Sequence, residues 1–138
     1  MNSYSYEEIS VGLKEQFKKQ ITDEMLSGFR KISGDENPLH NDRKYAQKRG
    51  YNDIVVYGML SASLLSTLAG VYIPGKYSLI YSTKFNFHKP VFVSDTITVN
   101  GTVKEKDERF NTIRLKVIME NQDGEKVLSG SMQIGVTE

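Results

Sequence analysis

The sequence contains no cysteine and only two histidines among its 138 residues. Without cysteine there can be no disulfide, no thiolate metal ligand and no cysteine nucleophile. Two imidazoles are also too few for the usual zinc ligand sets. We therefore expect that no metal takes part in whatever chemistry the chain performs.

An excess of charge of one sign is also missing. Lys and Arg total 18 and Asp and Glu total 17, which leaves a net charge of +1 and nothing that favours nucleic acid or anionic lipid. No segment approaches the roughly 20 apolar residues of a membrane span. The N-terminus has neither the basic flank nor the apolar run of a signal peptide. We expect no nucleic-acid partner, no membrane association and a cytoplasmic location.

The length predicts one domain that covers residues 1–138. Hydrophobic spacing and capping residues locate the elements of its first half. They are an edge strand over Ser10–Gln20, a helix over Asp23–Lys31 that Thr22 caps and Gly34 ends, and a short helix over Arg43–Arg49 that Asn41 or Asp42 caps.

The segment Val55–Val71 contains no charged side chain and is rich in Leu, Ser and Ala, which predicts a central helix buried on nearly every side. Ile73, Pro74 and Gly75 end it. Four strands with hairpin-length connections follow, and they predict an antiparallel meander wrapped around the helix in an α+β fold. The predicted strands are Ser78–His88, Thr96–Lys106, Thr112–Asn121 and Lys126–Val136.

The best acid/base pair in the sequence is Asp35 and His40, which stand five positions apart across a turn. Gly34 and Pro38 both favour such a turn, and Asn37 is expected to shape it by hydrogen bonding to its own backbone. A carboxylate and an imidazole held in this way can move a proton to and from one bound water.

Gly58 is expected to act as an oxyanion donor. It lies near the beginning of the apolar run, where an unpaired backbone N–H and the helix dipole can stabilise a developing negative charge. Ser66 follows two helical turns later, and we expect it to face the same side of the helix.

Several blocks of the sequence together resemble the MaoC-type (R)-specific enoyl-CoA hydratases, from about Tyr6 to Val136. The resemblance implies a hot-dog fold, in which a curved antiparallel sheet wraps a long central helix. It also implies a homodimer, or a larger homo-oligomer, whose sheets join edge to edge. The blocks are Ser33-Gly34-Asp35-x-Asn37-Pro38-Leu39-His40-x-Asp42, Gly58-Met59-Leu60, Pro74-Gly75 and Pro90-Val91-Phe92-Val93-x-Asp95.

The activity implied by the resemblance is hydration of trans-2-enoyl thioesters to (R)-3-hydroxyacyl thioesters, or the reverse dehydration. Asp35 and His40 become the catalytic pair, and Ser66 is placed close to them. The substrate is an acyl thioester carried on coenzyme A or an acyl carrier protein, and no other cofactor is expected. The chain departs from the family at Tyr57, where a histidine is common; a tyrosine keeps a hydrogen-bonding hydroxyl but lacks the imidazole that could exchange a proton. We group Tyr57 with Asn37, Gly58 and Ser66 as oxyanion and substrate-binding residues.

Three alternatives stay open. Hot-dog thioesterases and acyl-carrier-protein dehydratases usually carry a catalytic carboxylate on or beside the central helix, whereas residues 58–71 contain none. A binding module without catalytic activity would have no use for both Asp35 and His40.

Overall fold

A five-stranded antiparallel sheet forms the frame of the protein in a computed structural model that describes residues 1–138. Along the chain, three α-helices follow the first strand and precede the other four. The strands are β1 (Lys14–Gln20), β2 (Ser78–Phe87), β3 (Thr96–Asp107), β4 (Thr112–Glu120) and β5 (Lys126–Val136), and the helices are α1 (Asp23–Ser33), α2 (Arg43–Lys48) and α3 (Gly58–Thr67).

The strand order is β1-β3-β4-β5-β2, so the predicted four-stranded meander is wrong for its first strand. β3, β4 and β5 do form a meander, but β2 pairs with β5 at the far edge of the sheet. Residues 88–95 therefore connect the β2 edge of the sheet to β3, which lies next to the opposite edge strand β1. Val91 within this crossover is buried, and its carbonyl accepts a 2.8 Å hydrogen bond from Val56. These contacts hold the crossover against the segment that leads into α3.

The segment predicted as an edge strand does lie at an edge, because β1 pairs only with β3. It begins at Lys14, four residues later than predicted. Residues 10–13 form a turn in which Gly12 has a φ of 97°, in the left-handed region that glycine tolerates best.

The capping residues behave as the sequence predicts. The Thr22 hydroxyl accepts from the Met25 N–H at 3.3 Å, and Gly34 ends α1 with a φ of 74°. Of the two residues proposed to cap α2, Asp42 does so, through a 3.1 Å bond from the Tyr45 N–H. The loop that holds the predicted acid/base pair therefore starts at a well-defined helix end.

The central helix begins later than predicted and keeps α-helical geometry only as far as Thr67. Val55 and Val56 lie before the helix, and their N–H groups bind the carbonyls of Leu39 and Val91. After Thr67 the chain continues as five residues of π-helix, Leu68–Tyr72, and Ile73 ends it as predicted. None of the helices has both the length and the apolar character needed to span a bilayer.

The core lies between α3 and the inner face of the sheet. Leu68 is fully buried where the α-helix passes into the π-helix. A Cβ atom at Gly101 of β3 would lie 3.0 Å from Leu68 Cδ2, so this glycine lets the sheet come close to the helix. Alternating side chains of β3 and β4 complete the contact, among them Ile97, Val99, Val103, Ile113, Leu115, Val117 and Met119.

We expect Leu68→Ala to lower the free energy of unfolding by about 2–5 kcal/mol, because it leaves a cavity at the helix–sheet contact. Urea denaturation measures this loss. Ile32→Ala is the matched control, since Ile32 is 88% exposed and its truncation should change stability by less than about 0.5 kcal/mol. Equal losses in the two variants would contradict the central position of Leu68.

Candidate active site

The His40 ring is fixed in one tautomer by the backbone. His40 ends a short 3-10 turn, Pro38–His40, and its Nδ1 lies 2.6 Å from the Val55 carbonyl oxygen. A carbonyl oxygen can only accept, so Nδ1 carries the proton. The other ring nitrogen, Nε2, is then left with a lone pair in the neutral imidazole. A base with this orientation is what proton abstraction from a water requires.

The loop from Asp35 to His40 is shaped by its own side chains. Asp35 Oδ1 accepts from the Asn37 N–H at 3.0 Å, and Asn37 Oδ1 accepts from the Leu39 N–H at 3.0 Å. Asn37 therefore caps the 3-10 turn, as its expected role in the loop requires. The Asp35 side chain is exposed and does not hydrogen bond to His40. The two groups share one loop, with His40 on the protein side and Asp35 toward solvent.

A cavity of about 260 Å³ lies beside the beginning of α3 and brings together His40, Gly58 and Ser61. Gly58 is the first residue of α3, so its N–H has no acceptor within the helix. The remaining wall is mainly apolar and includes the second histidine of the chain. Its residues are Tyr51, Val55, Val56, Phe87, His88, Lys89, Pro90, Val91 and Val127.

Gly58 also permits the Phe87 ring to close over the helix start. A Cβ atom at Gly58 would lie 3.0 Å from Phe87 Cε1, a contact tighter than almost all real ones. A side chain here would push the aromatic ring away from the cavity. Two features therefore meet at Gly58. Its N–H has no acceptor within the helix, and the absence of a side chain lets the Phe87 ring approach.

Tyr57 lies behind the loop, outside the cavity wall. It is 1% exposed, and its hydroxyl donates to the Asp35 carbonyl at 2.7 Å and accepts from Arg30 Nε at 3.1 Å. Its ring stacks on His40 with the centroids 4.0 Å apart. In this position Tyr57 contacts the loop that bears Asp35 and His40 and does not line the cavity, which corrects the expectation that it binds substrate.

Arg30 is a loop-supporting residue that the sequence analysis missed. In addition to Tyr57 it donates to the His40 carbonyl, with Nη2 3.4 Å from the oxygen. The sequence places it in the last turn of α1, where a basic residue is favoured by the helix dipole in any case. Nothing in its local pattern points to the loop.

Ser66 does not share a side of α3 with Gly58, which corrects that expectation. Eight residues correspond to about 80° beyond two full turns of an α-helix. Ser66 is exposed and lines a separate groove of about 200 Å³ with Met59 and Ser63. Ser61, three residues after Gly58, takes the place in the cavity that the sequence analysis gave to Ser66.

The segment that presents the Val55 carbonyl is anchored just before it. Asp53 Oδ1 accepts from the Ile54 N–H at 2.7 Å and from Arg43 Nε at 2.9 Å. Two contacts hold the pKa of Asp53 below its ordinary value. The hydrogen bond from the Ile54 N–H has the larger effect, and the bond from the Arg43 guanidinium has the smaller one. The pair is exposed, so it contributes little to overall stability and serves mainly to fix the chain direction.

Comparisons with known proteins agree on one family. The family profile described as MaoC like domain matches residues 7–124. The chain is 31% identical to a 3-hydroxybutyryl-CoA dehydratase of Methylorubrum extorquens, over 95% of this chain and 83% of that protein. It is 33% identical to an (R)-specific enoyl-CoA hydratase of Aeromonas caviae, over 91% and 94% of the two chains.

A solved structure of an R-hydratase from Pseudomonas aeruginosa, in its unliganded form, superposes with a TM-score of 0.91 at 31% identity. The match covers 97% of this chain and 86% of the other. This agreement confirms the hot-dog fold expected from the resemblance.

We expect Tyr57→Phe to loosen the loop from Gly34 to His40, because it removes the hydroxyl that joins the Asp35 carbonyl to Arg30. The free energy of unfolding should fall by about 1 kcal/mol or more. Hydrogen exchange of the loop amides should also become faster. Tyr45→Phe is the control, because the Tyr45 hydroxyl binds only Arg49 on an exposed face of α2. Identical behaviour of the two variants would refute the supporting role of Tyr57.

Proposed function

This chain belongs to the MaoC-like family, and we propose that it catalyses the (R)-specific hydration of trans-2-enoyl thioesters to (R)-3-hydroxyacyl thioesters, or the reverse dehydration. The observation that carries the proposal is the His40 imidazole, held by the Val55 carbonyl in the wall of the cavity that Gly58 also lines. The relatives named above act on thioesters of this kind according to their names.

Hydration needs a base for the water, an acid for C2 and a donor for the carbonyl oxygen. In the proposed reaction Asp35 and His40 bind one water between them. His40 Nε2 takes a proton as the water oxygen bonds to C3, and the electron pair of the C2=C3 bond moves toward the carbonyl oxygen. A proton then returns from the same pair to C2. Because both groups act from one side of the substrate, the addition is syn.

The negative charge that develops on the carbonyl oxygen needs a fixed donor. The Gly58 N–H is proposed for this role, with support from the positive end of the α3 dipole. The apolar wall formed by Val56, Phe87 and Val91 would exclude bulk water and strengthen the hydrogen bond. We propose coenzyme A or an acyl carrier protein as the carrier of the acyl group, with no further cofactor.

Incubation with crotonyl-CoA tests the reaction class. We expect the absorbance of the conjugated enoyl group to fall while no free thiol appears. Release of thiol would show a thioesterase instead, and a change in neither signal would leave only a binding function.

The roles of the two loop residues are tested in the same assay. Asp35→Asn and His40→Ala should each lower kcat by at least about 10²-fold, since each removes one member of the acid/base pair. Glu36→Gln is the matched control, because it neutralises an exposed carboxylate of the same loop and should keep wild-type kcat. Near-native turnover in either the Asp35 or the His40 variant would refute its assignment.

We further propose a homodimer that forms through the β2 edge. β2 ends the sheet, so one row of its backbone N–H and C=O groups has no partner strand. Most of its side chains are exposed on both faces, in contrast to those of β4. Large apolar side chains are concentrated there and on the adjacent face of α3, namely Met59, Leu79, Ile80, Tyr81 and Phe87. A second copy would continue the sheet and cover this surface.

Leu79→Glu should convert the dimer to monomers, because Leu79 is 50% exposed and a carboxylate there would have to be buried in the interface. Sedimentation velocity should give about twice the 15.7 kDa chain mass for the wild type and the chain mass for the variant. Phe110→Glu is the control, because it changes an exposed apolar side chain in the β3–β4 turn. A monomeric wild type would rule out the dimer.

A further inference from the structure

The hydroxyl of Ser61 is buried without a hydrogen-bond partner. Ser61 is 3% exposed, and its Oγ is one of only two buried side-chain polar atoms in the chain that have no partner. Leaving such a group unpaired costs about 1–3 kcal/mol. An alanine would fill nearly the same space without this cost.

The local helix does not account for the unpaired hydroxyl. Serine in a helix commonly satisfies itself by bonding to a carbonyl one turn earlier, as Ser63 Oγ does with the Leu60 carbonyl at 2.6 Å. The Tyr57 carbonyl, four residues before Ser61, already accepts from the Leu60 and Ser61 N–H groups. The Ser61 hydroxyl therefore has no hydrogen-bond partner inside the protein.

The same residue lines the cavity that contains His40 and Gly58. Ser61 follows Gly58 by three positions, so the two lie on one face of the first turn of α3. The Gly58 N–H and the Ser61 O–H are thus two donors that lack acceptors within the protein and belong to residues that line the same cavity, with the Ser61 Oγ buried in its wall. Both are at the positive end of the helix, where an oxygen that gains negative charge is favoured.

We propose that the Ser61 hydroxyl is a second hydrogen-bond donor to the thioester carbonyl oxygen, beside the Gly58 N–H. The inference rests on the proposed hydratase function and adds a substrate-binding residue to it. No proton is transferred: the hydroxyl donates a hydrogen bond that strengthens as the electron pair of the C2=C3 bond moves onto the oxygen. The unpaired hydroxyl of the free protein then gains its partner when substrate binds.

Ser61→Ala tests this role by separating activity from stability. Loss of one oxyanion donor typically lowers kcat by about 10²–10³-fold, and we expect about 10²-fold with KM changed by less than about threefold. The urea midpoint should stay the same or rise, because an unpaired buried hydroxyl has been removed. A fall in kcat of less than about tenfold, or a fall accompanied by a lower midpoint, would overturn the inference.

Two further variants complete the experiment. Ser61→Thr keeps the hydroxyl and should recover most of the wild-type kcat; a kcat as low as that of Ser61→Ala would count against the donor role. Thr112→Val removes a buried hydroxyl in β4, away from the cavity, and should leave kcat unchanged.

A wild type that does not hydrate crotonyl-CoA overturns the proposed function and this inference together. An active wild type with an equally active Ser61→Ala variant overturns this inference alone.

Discussion

The backbone hydrogen bonds of Val55 and Val56 are the constraint on which the rest of the site depends. The Val55 N–H binds the Leu39 carbonyl, its own carbonyl receives His40 Nδ1, and the Val56 N–H binds the Val91 carbonyl in the crossover. Backbone groups buried in a protein must find partners, so these bonds fix three parts of the chain at once. They hold the loop that bears the imidazole, the crossover that begins beside the cavity, and the position at which α3 begins.

The elements that were predictable from sequence are those decided by local chemistry. Thr22 and Asp42 cap their helices, and Gly34 adopts the left-handed conformation, because each of these needs only a few neighbouring residues. The start of α3 was not predictable in this way. Val55 and Val56 fit the apolar pattern of the helix, and only partners that are distant in sequence, above all Val91, keep them out of it. The place of β2 at the far edge likewise depends on a crossover, anchored by the buried Val91, that looks like an ordinary loop in the sequence.

The same distinction applies to the candidate site: features set by neighbouring residues were predictable, and those set by distant contacts were not. The turn that carries Asp35 and His40 was evident from spacing and from the turn-forming residues around it. The contacts of Tyr57 with Arg30 and the Asp35 carbonyl were not, since a tyrosine hydroxyl gives no sign in a sequence of where it points. The choice between Ser61 and Ser66 depended on the exact helix start and on a rotation of a fraction of a turn, which composition does not encode.

Phe87 belongs to two surfaces at once. Its ring forms part of the cavity wall against Gly58, yet it is 52% exposed on the strand that ends the sheet. In the proposed dimer the second copy would also touch the ring from its other side, so the shape of the cavity would depend on assembly. Dilution would then alter the fit of an acyl group as well as the population of dimers, and specific activity would become a function of protein concentration.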